Sequence, residues 1–178
     1  MTRKKLTNFP AEFLHFNTYI AAIKNSVGTN MFRRAYMLKG RDGKQVVVDA
    51  TEDGNIACAY YLSSVLYLFG MIKEKHLTVK STVLDIESFG WRKIKGPRVG
   101  SVLVWEPKLQ LSGRVTAHIG FYIGRQTAIS HRDDTRSPRP HHWLYKDEGV
   151  ARRVEAVYWH PRWDMLSGRI LSRGELGK

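Results

Sequence analysis

The stretch "GNIACAYYLSSVLYLFG", Gly54–Gly70, holds the only cysteine of the 178-residue chain. Its apolar residues recur at helical spacing, and it follows a turn-forming Asp53-Gly54-Asn55. Asn55 is a good N-cap residue and Gly70 a good C-terminal stop, so the pattern predicts a helix with Cys58 in its first turn. A lone cysteine is most often a small buried hydrophobe. At a helix start, however, unpaired backbone N–H groups and the helix dipole favour thiolate, which predicts a thiol pKa below about 8.5.

Outward from this helix the texture divides. On its N-terminal side, Phe13, Phe16, Ile20 and Ile23 mark an amphipathic helix starting near Pro10, and Lys44–Ala50 reads as a short strand. On its C-terminal side, Ser81 is placed to cap a second helix carrying Val83, Ile86 and Phe89. The segments Gly100–Pro107, His118–Gly124, Thr127–Arg132 and Val154–Pro161 are short, β-branched or aromatic, and bounded by Gly or Pro. Helices first and an antiparallel sheet afterwards is an α+β order. The division expected is an N-terminal helical extension over 1–43, a main domain over 44–162 and a polar tail over 163–178. Trp105, Trp143 and Trp159 are assigned to the core or its cover, as are Tyr60 and Tyr61.

Lys and Arg number 29 against 16 acidic residues, a formal charge of +13. That field attracts polyanions such as nucleic acid or anionic wall polymers. The basic residues are scattered, and no zinc finger, basic zipper or phosphate loop is legible, so sequence-specific nucleic-acid reading is not expected. The basic start "MTRKK" leads into a stretch broken by Glu12, His15, Asn17 and Lys24, unlike a signal peptide. No run is long enough to span a bilayer, which leaves the cytoplasm as the default expectation. One cysteine allows no internal disulfide. His141-His142 with Asp133 and Asp134 match no familiar zinc spacing and read as surface loop. No metal or other cofactor is expected.

Cysteine chemistry needs a base, normally histidine, and a group to orient it. His118 opens a strand directly after a polar loop and is the best placed of seven histidines. If Gly124 and Thr127 close an even-length hairpin loop, Gly120 faces His131, which then shares the face of His118. A one-residue slip would bring Ser130 there instead.

Cysteine at a helix start, a "GSVLVW" strand and then "HIGFYIG" together resemble the NlpC-type papain-like cysteine peptidases and the related cell-wall amidases. The resemblance covers Asn55 to His131. It implies a papain-like fold with the N-terminal helical part packed on an antiparallel sheet. It also implies Cys58 as nucleophile and His118 as base, with peptide or amide bonds of peptidoglycan as substrate. Ala57 stands where the family usually has Asp, and Ala59-Tyr60 where it has a small Ser-Gly pair. Family spacing favours Ser130 as the third residue; because imidazole orients imidazole more firmly than a hydroxyl does, the reading takes His131. The alternative is a non-catalytic basic domain of the same fold that binds nucleic acid or anionic wall polymers. A deamidase acting on protein is a third reading.

Overall fold

A computed structural model describes residues 13–109, 113–146 and 152–165. Helix α1 (His15–Asn25) is followed by strands β1 (Tyr36–Arg41) and β2 (Lys44–Asp49), then helices α2 (Cys58–Leu68) and α3 (Val79–Ser88). Strands β3 (Arg92–Lys93), β4 (Val102–Leu109), β5 (Val115–Gly124), β6 (Thr127–Arg132), β7 (Ser137–His142) and β8 (Val154–Trp159) complete the order. The architecture is α+β. β1 and β2 form a separate hairpin, and the other six make one antiparallel sheet in the order β3-β8-β4-β5-β6-β7.

α2 buries Ala59, Tyr61, Leu62, Val65 and Leu66, and packs on β5 and β6. One face of the sheet gives Val102, Val104, Ile119, Phe121 and Ile129 to this core. The opposite face carries Leu103, Trp105, Ala128, Tyr145 and Val157 in a second, smaller cluster. The alternation follows from the two-residue strand period. Burial at these positions is what holds α2 in place: truncating a residue such as Leu62 to Ala costs about 2–5 kcal/mol.

α1 contributes Tyr19 and Ile23 to the same core as α2, with the Tyr19 hydroxyl donating to the Gly100 carbonyl at 3.0 Å. Gly100 has φ +91°, and a Cβ there would lie 3.1 Å from the Tyr19 ring, so this close approach requires glycine. The expected boundary at 43/44 falls in the tip of the β1–β2 hairpin, where Arg41 pairs with Lys44. Trp163, assigned to a polar tail, is almost fully buried and stacks on Tyr19 at 4.8 Å. Pro10 and residues 166–178 lie outside the described residues.

Local signals differ from expectation at two helix starts. α2 begins at Cys58 after Ala57, with no side-chain cap, so Asn55 does not cap it. α3 is capped by Thr78, whose hydroxyl accepts from the Ser81 N–H at 3.1 Å. β7 is a larger departure, because Pro138 and Pro140 argue against a strand. It lies at the sheet edge, where an N–H is not required on both sides. Among the described residues, no helix is long and apolar enough to cross a membrane.

Candidate active site

The turn before α2 is built by a carboxylate. Asp49 accepts the N–H groups of Ala35 and Thr51, each at 3.1 Å, the Thr51 hydroxyl at 2.7 Å and the Asp53 N–H at 2.7 Å. Asp53 in turn accepts from Arg33, Arg34 and Arg136, at 2.6 to 2.9 Å. Hydrogen bonds from Arg33 and then Arg34 hold the Asp53 carboxyl well below the ordinary range. Glu52, Asp53 and Gly54 have φ of 51°, 56° and 90°. This tight, left-handed turn delivers the chain to Ala57 and starts the helix at Cys58, which is half-buried and lines a cleft of about 520 Å³.

Cys58 and His118 line that cleft together with His131, Tyr145 and Arg152. Burial, the largest influence, raises the Cys58 thiol above its ordinary pKa. The backbone N–H groups of Ile119, Ala59 and Cys58 itself, with the charge of Arg152, act the other way without offsetting it. The helix-start argument for a resting thiolate is therefore corrected: desolvation outweighs the dipole and its N–H groups. Burial, reinforced by Arg152 and other nearby cations, likewise pushes His118 well below its ordinary value. Both effects favour a neutral resting pair.

His118 Nε2 lies 2.8 Å from Ser130 Oγ, and the Ser130 hydroxyl lies 2.9 Å from His141 Nε2. Among the described residues no hydrogen bond joins His118 to Cys58. The expected pairing of Gly120 with His131 is not what forms. Tyr122 pairs with Ala128 and Gly124 with Thr127, so Ile123 is an extra residue in β5. This bulge slips the pairing by one place. A Cβ on Gly120 would meet Ser130 Cβ at 2.7 Å, which places Ser130, not His131, opposite Gly120.

His131 turns to the helix side, where its ring lies 6.4 Å from that of Tyr61. It is only 2% exposed, and neither ring nitrogen has a partner among the described residues. Burial lowers its pKa to about 4. His131 thus lines the cleft without touching His118 through a hydrogen bond.

Three site residues escape a reading of the sequence. Arg152 looks like part of a scattered basic pair, yet it is 8% exposed, donating Nε to the Glu106 carbonyl at 2.8 Å and Nη2 to the Thr116 carbonyl at 2.7 Å. His141, read as surface loop, is buried on β7. Tyr145 stacks on it at 4.2 Å. Among the described residues no group of three or more His, Cys, Asp or Glu is arranged to hold a metal. Compared with known proteins, the chain matches no family model and no curated protein.

Proposed function

We propose that the chain is a thiol hydrolase of papain-like, NlpC-type arrangement that cleaves peptide or amide bonds, with peptidoglycan peptides as the substrate class. The observation that carries this reading is the 2.8 Å contact of His118 Nε2 with Ser130 Oγ on a residue that shares the Cys58 cleft. A histidine held through one nitrogen by an orienting group, beside a thiol at a helix start, is the arrangement that nucleophilic acyl transfer requires.

Because both groups rest neutral, the reaction begins with proton transfer. The Cys58 S–H proton passes to His118 as sulfur attacks the carbonyl carbon and the S–C bond forms. The oxyanion is met by N–H groups at the start of α2, which have no acceptor inside the helix. The C–N bond then breaks, and His118 returns the proton to the leaving amine. Water, deprotonated by His118, hydrolyses the thioester and regenerates the thiol. Arg152 supplies a fixed positive charge that stabilises the sulfur as it becomes anionic.

Lys80, Lys108, Arg114, Arg132 and Arg152 line the cleft against one carboxylate, Asp133. Arg114 and Arg132 are tied to Glu52 and Asp134, each at 2.7 Å, and the lining remains cationic. Such a cleft favours an acyl chain bearing carboxylates. The same charge favours the second reading, a non-catalytic domain that binds anionic wall polymer or nucleic acid. Incubation of wild type and Cys58→Ala with peptidoglycan fragments separates the two. Loss of cleavage in the variant with binding retained supports the hydrolase, and no cleavage by wild type supports the binding domain.

A further inference from the structure

His141 packs against the rings of both Trp105, at 5.5 Å, and Tyr145, at 4.2 Å, on the side of the sheet away from α2. Its Nδ1 is 2.9 Å from the His142 carbonyl. A carbonyl only accepts, so Nδ1 carries the hydrogen. In a neutral ring Nε2 is then bare and accepts the Ser130 hydroxyl hydrogen across 2.9 Å. Ser130 has a single hydrogen to give. Toward His118, at 2.8 Å, its oxygen therefore accepts, and His118 is protonated at Nε2. Nδ1 of His118 is left with the lone pair.

We propose that His141 is a positioning residue: acting through Ser130, it locks His118 as the Nε2–H tautomer and keeps Nδ1 open to receive a proton. The kinetic part of this rests on His118 being the base, while the tautomer itself does not. A serine alone sets no direction, because its hydroxyl donates and accepts equally well. Released from His141, Ser130 can turn its hydrogen toward His118 Nε2, which forces the hydrogen of that ring onto Nδ1. The hydroxyl of Tyr145, at 3.5 Å from Ser130 Oγ, is a much weaker substitute acceptor.

The test is long-range 1H–15N correlation on histidine-labelled protein near pH 8, where unperturbed imidazoles are neutral. Wild type is expected to show His118 as Nε2–H alone. His141→Phe retains a ring against Trp105 and Tyr145 but offers no acceptor, and is expected to show a mixture of both tautomers. His141→Gln, whose amide can donate to the His142 carbonyl and accept from Ser130, is expected to restore the single form. An Nδ1–H signature for His118 in wild type overturns the proposal whether or not the variants fold. So does an unchanged single Nε2–H form in folded His141→Phe. If wild type hydrolyses peptides, His141→Phe is expected to lower kcat about 10-fold with KM little changed, as loss of an outer orienting partner does. A protein with no hydrolysis at all would sink the functional reading and leave the tautomer measurement to stand or fall separately.

Discussion

The His118 imidazole is held by Ser130 across 2.8 Å, and His131, the next residue along the same strand, lies on the other side of the sheet. A single bulged residue, Ile123, decides which of the two neighbours meets His118. Ser130→Ala is accordingly expected to reduce kcat by about 10- to 100-fold. His131→Ala should spare the chemical step more. Steady-state kinetics on a wall-peptide substrate compares them, and a larger kcat loss in His131→Ala would reverse the assignment.

Removal of the proposed nucleophile, Cys58, is the strictest case. Cys58→Ala is expected to lower turnover by several orders of magnitude, leaving only binding and oxyanion stabilisation, and His118→Ala nearly as much. Cleavage that survives Cys58→Ala would exclude thiol catalysis, since the chain has no second cysteine.

Reactivity of the thiol should follow its raised pKa. Deprotonation is favoured only above the ordinary thiol range, so alkylation by iodoacetamide is expected to keep rising past pH 9, with no plateau near neutrality. Arg152→Gln removes the charge that opposes this rise and should slow alkylation several-fold at a fixed pH. A plateau at pH 6–7 would mean a preformed thiolate instead.

Two histidines with depressed pKa values make stability depend on acid. His131 titrates at 6.5 when unfolded and about 4 when folded, so between these values the unfolded chain binds the extra proton. Stability is complete above about pH 6.5 and is lost as pH falls toward 4, at up to about 1.4 kcal/mol per pH unit for each such group. His118 is displaced in the same direction and adds to the slope. Urea midpoints at pH 7.5 and pH 5 measure it, with a lower midpoint expected at pH 5. His131→Phe should flatten the difference.

Gly120 is the backbone counterpart of the Ser130 contact. A Cβ there would stand 2.7 Å from both the Ile129 carbonyl oxygen and Ser130 Cβ, neither of which can yield without moving β6. Gly120→Ala is expected to cost about 1–3 kcal/mol in urea unfolding and to lower kcat together with Ser130→Ala. A variant as stable and as active as wild type would show that β6 shifts freely.

Much of the fold is written in local patterns. The apolar spacing of "CAYYLSSVLYL" marks α2, and the β-branched runs mark β4, β5, β6 and β8, because each pattern reflects which face of an element leaves water. The position of Cys58 at the start of its helix was legible for the same reason, whereas His118, expected to open a strand, lies inside β5, which begins at Val115. Other features were decided only in three dimensions. Strand β7 depends on lying at the edge, where Pro138 and Pro140 cost no ladder hydrogen bond. The choice of Ser130 over His131 depends on a bulge whose single extra residue reverses the faces of everything beyond it. The protonation of Cys58 depends on how far neighbouring residues bury the thiol, a property of the assembled fold that no spacing of residues along the chain encodes.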